Sequence, residues 1–375
     1  MRSIEELKDL NGVRVLLRSD LNASIENGVI EDTFRIDAAL RSMQFLLAHG
    51  ARVIIASHMS DSTGSLAPVF AYLKTKIPLS FTNDVTGPSA HQAASALQDG
   101  HALLLENIRR NKGEEGNDWQ FAKELASLAD VYVNDAFSVS HRAHASVVSI
   151  PELLPSYAGF EFLKELKGLT PGLEPQSPSL VVVGGAKLVS KISLIKSLLP
   201  KYDHVFVGGA LVSDFFSAKG YEIGKSLSSG TNIAAELLFD SKIILPETVV
   251  VSNPAGRDEK SSSAVGKNDT IADVAVSSIE SLRPLVESAQ SILWDGPMGH
   301  FEAGFVEGTD ALAELIASSK GETIVGGGDT ITSIRNLGIL DKFTFVSTAG
   351  GAMLDFLANG TLPGIEALEN SKGRF

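Results

Sequence analysis

Short apolar runs recur along the whole chain, separated by stretches of helical period. The runs occupy residues 13–17, 52–56, 79–82, 102–105 and 131–133 in the first half. In the second half they occupy 180–183, 204–207, 243–245, 248–251, 291–293, 323–325 and 343–346. Unbroken apolar runs of this length predict strands covered on both faces. Between them, 31–50 predicts a helix: Ile36, Leu40, Met43 and Leu47 share one face, and Gly50 is a stop. A second helix is predicted over 66–76. Asn117-Asp118 caps a third, with Trp119, Ala122, Leu125 and Leu128 as its apolar stripe. Residues 155–169 read as a further helix, 253–270 as a polar loop. Strands alternating with helices predict parallel sheets with ligands at the carboxyl ends of the strands.

A chain of 375 residues is long for one core, so two domains are expected. Pro171, Pro175 and Pro178 mark a connection, and the boundary is placed at residue 156. The net charge of −13 argues against nucleic acid and anionic membranes as partners. With no cysteine, disulfides, thiolate nucleophiles and Cys-bound zinc are excluded. The start, Met1-Arg2-Ser3-Ile4, lacks the apolar core of a signal peptide, and no apolar run approaches a membrane span. A cytoplasmic location is expected.

The chemistry gathers at the predicted strand ends. In the first half these carry Arg18, Asp20, Asn22, His58, Arg109 and Arg142, with Arg35 at a helix start, and nine of the 13 arginines precede residue 143. Cations on several separate loops describe an anion site. In the second half glycines take their place: Gly184-Gly185-Ala186-Lys187, Gly208-Gly209, Gly296-Pro297 and Gly326-Gly327-Gly328-Asp329-Thr330. Glycines at strand ends let a ligand approach the backbone; Asp329-Thr330 after the three glycines can open a helix whose N-terminus suits phosphate, with Asp329 as its cap or as a metal ligand. Lys187 and Lys191 add charge. Two standard nucleotide motifs fail. Residues 220–226 are one short of a Walker A loop and follow no strand, and 326–331 lacks the third glycine of a dinucleotide fingerprint.

In this order, Arg18-Ser19-Asp20-Leu21-Asn22, Ser57-His58, Leu104-Leu105-Glu106-Asn107-Ile108-Arg109, Val133-Asn134-Asp135-Ala136-Phe137, His141-Arg142-Ala143-His144, Gly184-Gly185-Ala186-Lys187, Trp294-Asp295-Gly296-Pro297-Met298-Gly299 and Gly326-Gly327-Gly328-Asp329-Thr330 resemble the phosphoglycerate kinase family over residues 10–368. The resemblance implies two doubly wound, Rossmann-like parallel-sheet domains facing a central cleft and joined by a hinge helix. Residues 1–155 would bind 3-phosphoglycerate, 156–358 the nucleotide, and 359–375 would return to the first domain. Asp20, Asn22, Arg35, His58, Arg109 and Arg142 match acid-site positions, with Arg18 beside them. Lys187, Lys191, Glu302, Gly328, Asp329 and Thr330 match nucleotide-site positions, with Gly185, Gly209, Gly296, Pro297 and Gly327 in the surrounding turns. Glu302 would take the ribose hydroxyls and Asp329 a Mg²⁺ ion. Arg35, Lys191 and Gly328 would hold the group in transfer between 1,3-bisphosphoglycerate and ADP, or between ATP and 3-phosphoglycerate, as the hinge closes. A monomer is expected, with small-molecule substrates only.

The match has departures. Asp61 stands where the family usually has arginine, Ser190 where it has Asp, Asp295 where it has Asn, and Ala349 where it has Gly; Ser138-Val139-Ser140 replaces its usual small-residue turn. A relative that binds nucleotide without catalysis is the alternative. A nicotinamide-dependent oxidoreductase shares the fold class alone and lacks its fingerprint.

Overall fold

The computed structural model describes residues 1–26, 28–186, 188–230, 233–371 and 373. Packing divides the chain into two units, Met1–Lys167 together with Thr361–Phe375, and Gly168–Gly360. The first is built on six parallel strands: β1 Arg14–Arg18, β2 Arg52–Ala56, β3 Leu79–Phe81, β4 Ala102–Leu104, β5 Val131–Asn134 and β6 Ser156–Ala158. Their order is β3-β4-β2-β1-β5-β6. The direction of winding reverses between β1 and β5, and at such a point the loops diverge and leave a crevice.

The apolar runs behave as their pattern predicts. Val15, Leu17, Val53, Ile55, Leu104 and Val133 face one core with Ile36, Met43 and Leu46 of helix α1 (Phe34–Ala48). Their alternates Leu16, Ile54, Leu103 and Tyr132 are buried on the opposite face. Gly50, at φ +82°, ends the first helix. Asp118 accepts the Phe121 N–H at 2.8 Å and so caps α2 (Trp119–Ala126).

The expected helix over 155–169 is in fact two elements. β6 pairs with β5, and α3 (Phe160–Leu169) begins only after Gly159. Asp135 sets that start by accepting the Glu161 N–H at 2.8 Å, in space that a Cβ on Gly159 would fill. A three-residue strand is too short to show a period. The packing therefore divides the chain at Lys167, not at 156 as placed from the sequence.

The second unit repeats the plan with β7 Ser179–Val183, β8 His204–Val207, β9 Ile243–Ile244, β13 Ser291–Asp295, β14 Glu322–Gly326 and β15 Phe345–Val346. The order is β9-β8-β7-β13-β14-β15, all parallel, with the reversal between β7 and β13. Helices α4 (Leu188–Leu198), α5 (Glu307–Ala317) and α6 (Gly328–Asn336) follow β7, precede β14 and follow β14. A separate antiparallel sheet joins β10 (Thr248–Asn253), β11 (Gly256–Ser261) and β12 (Thr270–Val274). The stretch predicted as a polar loop thus contains β11, paired to β10 across Pro254-Ala255. Its sequence, Gly-Arg-Asp-Glu-Lys-Ser, is polar throughout and exposed except for half-buried Lys260, so no apolar alternation betrays it. The last helix, α7 (Pro363–Glu369), belongs to the first unit, where the Gly364 N–H donates to the Ser140 carbonyl at 2.8 Å. No helix among the described residues is long and apolar enough to cross a membrane.

Two buried carboxyls cap helices. Asp135 does so for α3; Asp273 accepts the N–H groups of Val274 at 2.8 Å and Gly308 at 2.9 Å, the latter in the first turn of α5. Burial pushes each up to about 7. In the unfolded chain they titrate near 4. Across that window the folded state holds protons that the unfolded state lacks, so these groups make stability fall as pH rises. For Asp273→Asn, the unfolding free energy relative to the wild type is expected to grow by about 2–3 kcal/mol from pH 5 to pH 8. Urea titrations at several pH values measure it; a difference independent of pH refutes the assignment.

Candidate active site

In the first unit the site grows from the end of β1. Arg18 is fully buried. Its Nε donates to Ser146 Oγ at 2.8 Å, its Nη1 to the Ser19 carbonyl at 2.9 Å, and its Nη2 lies 3.3 Å from His58 Nδ1. Ser146 is itself held by buried Glu114, which accepts its hydroxyl at 2.6 Å and its N–H at 2.9 Å. A guanidinium only donates, so His58 Nδ1 accepts, and the neutral ring carries its proton on Nε2. Burial, then the charges of Arg18, Arg109 and Arg142, hold the His58 pKa well below its ordinary value. His144, 3.8 Å from Glu114, is lowered to about 4 by burial and the same arginines.

Arg109 completes the cluster. It is 7% exposed, and burial followed by Arg142 and Arg18 lowers its pKa. Nη1 reaches the Met59 carbonyl at 3.5 Å, but Nε and Nη2 are buried with no hydrogen-bond partner among the described residues. Glu115 stands 3.5 Å from Nε, an ion-pair distance without hydrogen-bond geometry. Arg142 is exposed, and its Nε donates to His141 Nε2 at 3.3 Å. Like charges and unpaired donors held together in this way are costly unless an anion answers them.

The remaining acid-site residues lie on the adjoining loops. Arg35 is 3.5 Å from Asp20, whose carboxylate also accepts the Ser138 hydroxyl at 2.5 Å. Asn22 exchanges hydrogen bonds with Ser60 at 2.8 and 2.9 Å, which ties it to the loop after His58. Two departures find a structural use here. Ser138 positions Asp20, and Ser140 packs where a Cβ on Gly364 would go. The Asp61 carboxylate accepts both the N–H and the hydroxyl of Thr63 at 2.8 Å. Those bonds hold its pKa below the ordinary range and commit the side chain to its own turn.

In the second unit the turns interlock where the winding reverses. The Gly184 N–H donates to the Asp295 carbonyl, and the Gly185 N–H to that of Pro297, both at 2.8 Å. The Gly209 N–H donates to the Met298 carbonyl at 3.2 Å. Gly185, Gly209 and Gly296 have φ of +79°, +60° and +92°. A Cβ on Gly184 or Gly209 would strike neighbouring backbone. At these two positions the expected opening for a ligand is filled by the turns themselves. Gly328, by contrast, opens α6 with nothing within 4 Å of its Cβ position. Both kinds of glycine stand in glycine runs at strand ends, so the sequence does not separate the two uses.

Lys191, 6% exposed, extends from α4 into these turns. Its Nζ donates to the Gly184 carbonyl at 2.5 Å and the Asp295 carbonyl at 3.2 Å, and lies 2.6 Å from Asp295 Oδ2. Glu302 and Asp329 are exposed, and both Glu302 and Lys191 act on the Asp329 carboxyl. Burial and then Glu302 raise its pKa, with Lys191 opposing. Thr330 is buried, and its hydroxyl has no partner among the described residues. Lys187 lies outside the described residues, as does the side chain of Ser190. The second unit thus brings Gly185, Lys191, Gly209, Gly296, Pro297 and Gly327 together, with Glu302, Gly328, Asp329 and Thr330 about the start of α6. Sequence reading missed the supporting roles of Glu114, Ser146 and Ser138, which no local pattern signals.

The phosphoglycerate kinase family model matches residues 4–360. The chain belongs to the phosphoglycerate kinase family. A phosphoglycerate kinase of a Roseiflexus species is 40% identical over 386 residues, covering 97% of this chain and 98% of that one. That of Moorella thermoacetica is 41% identical over 385 residues, covering 96% and 98%. Among solved structures, phosphoglycerate kinase from Coxiella burnetii matches with a TM-score of 0.83 at 36% identity, over 99% of each chain. That from Pyrococcus horikoshii matches with a TM-score of 0.88 at 28% identity, over 98% of each. Phosphoglycerate kinases are phosphotransferases acting on a carboxyl group, and the comparisons lend no support to a relative without catalysis.

The ring of His58 is expected to gain its second proton only well below the ordinary histidine range, because burial and the neighbouring arginines disfavour the charge, and to carry its single proton on Nε2. Side-chain ¹⁵N shifts from two-bond correlation spectra read the tautomer directly. A proton on Nδ1, or an ordinary titration near 6.5, would refute the arrangement with Arg18.

Proposed function

We infer that the chain transfers a phosphoryl group reversibly between 1,3-bisphosphoglycerate and ADP, giving 3-phosphoglycerate and ATP, with the half-sites divided between its two units. The carrying observation is the pair of unspent features: buried Arg109 donors in the first unit, and the open start of α6 beside Lys191 in the second. Arg109, Arg142 and the Nε2–H of His58 are proposed to bind the anionic acid. Asp20 and Asn22 would take its hydroxyl-bearing portion, and Arg35 would reach the transferring group. In the second unit the turns at Gly185, Gly209, Gly296-Pro297 and Gly327 would line the nucleotide, with Glu302 toward the ribose. Lys187 and Lys191 would meet its phosphates, with Gly328 and Thr330 supplying donors at the helix start.

The donor set fits Mg²⁺. Asp329 offers a single exposed carboxylate, and the described residues contain no cluster of three or more metal-ligating side chains. That suits an ion shared with phosphate oxygens, not caged by protein. When bound, the ion neutralises charge on the nucleotide's phosphates. The protein's own contribution is positioning and positive charge: a phosphoryl group passing between two anionic oxygens needs them in line and close. With half-sites on separate units, closure about α3 would bring them together and would exclude water from an acyl phosphate. A monomer in the cytoplasm completes the reading, without nucleic-acid or membrane partners.

Purified protein with ATP, Mg²⁺ and 3-phosphoglycerate is expected to form ADP and an acyl phosphate trapped by hydroxylamine. Lys191→Ala should lower kcat roughly 10²- to 10³-fold; no turnover by the wild type defeats the reading. Arg109→Ala should weaken 3-phosphoglycerate binding about 10- to 100-fold by calorimetry while leaving Mg·ADP binding in place. Equal loss for both ligands would contradict the division of labour.

A further inference from the structure

We propose that Asp295 is a positioning residue for Lys191, and that it limits how tightly the nucleotide's phosphates are held by competing with them for the ammonium group. The inference rests on the second unit being the nucleotide half-site. A lysine ammonium has three donors. Two of those on Lys191 go to carbonyls, of Gly184 at 2.5 Å and Asp295 at 3.2 Å. Asp295 Oδ2 lies 2.6 Å from Nζ, an ion pair without hydrogen-bond geometry, and has no other partner among the described residues. Both side chains are 6–7% exposed, so water screens the pair little.

The geometry is built for the pair. Lys191 reaches the carboxylate by passing over Gly296, where a Cβ would collide with Nζ. Gly296 is pinned by the Trp294 indole N–H, which donates to its carbonyl at 2.9 Å. The other carboxylate oxygen, Oδ1, faces the Gly327 turn, 3.4 Å from where a Cβ would stand, at the threshold of α6. The carboxylate therefore lies between the ammonium and the helix start that receives phosphate. Among the described side chains, Lys191 is balanced by Asp295 while Asp329 and Glu302 add negative charge. An incoming phosphate must draw Nζ away from a counter-ion it already holds. An asparagine at 295 keeps the shape and an acceptor oxygen but withdraws the competing charge.

Calorimetric titration with Mg·ADP tests this on the full chain. Asp295→Asn is expected to tighten binding roughly tenfold, and Asp295→Ala to tighten it in the same sense. In a Lys191→Met background, where no ammonium remains to compete for, the same Asn substitution should change affinity by less than about twofold. Unchanged or weaker Mg·ADP binding by both single variants, with cooperative thermal unfolding retained, overturns the inference. Equal tightening in the two backgrounds also overturns it, because direct repulsion of phosphate would then account for the effect. A wild type that fails to bind Mg·ADP overturns the nucleotide reading itself, whereas a wild type that binds with unaffected variants overturns this inference alone.

Discussion

A strand covered on both faces can present chemistry only where it ends. That constraint organises both units. Val15, Leu16 and Leu17 are spent on packing, so the carboxyl end of β1 offers its first polar side chain at Arg18. The same holds for Val183 before Gly184 and Leu293 before Asp295. Each sheet reverses its winding once, and the residues that matter most, Arg18 in one and Lys191 in the other, sit at the reversal. Position in the sheet, more than local sequence, gives them their neighbours.

The two ends solve opposite electrostatic problems. The first unit concentrates guanidinium groups around neutral histidines and leaves donors unsatisfied, a local cost that an anion offsets. It tolerates this because Glu114, wholly buried, anchors the cluster from behind through Ser146 without occupying the open donors. Among its described residues the second unit holds one buried cation, Lys191, and pairs it with Asp295, beside the backbone amides at the start of α6. Backbone donors are fixed by the fold and need no reorganisation as charge moves between oxygens.

Much of this was legible in the chain. The apolar runs, the Asp118 cap, the Gly50 stop and the succession of charged or glycine-rich strand ends all carry local signals, and their order sufficed to indicate the family. What escaped had no local signal. β11 contains no apolar residue, β6 is three residues long, and Asp135 shows its capping role only once Gly159 is seen against it. Glycines serving backbone interlock read the same as glycines serving a ligand. Asp295 was visible as an unusual letter, but its partner lies more than a hundred positions earlier, and only folding brings them together.

The placement of α7 has a consequence for how the molecule is made. The first unit takes in both ends of the polypeptide, with Arg2 donating to the Gly373 carbonyl and the Ser371 hydroxyl at 2.5 and 2.6 Å, while the second is one uninterrupted segment. On the ribosome, the segment translated later owns every residue it requires before the earlier one does. The part begun first thus receives α7 only after the whole second unit has been made.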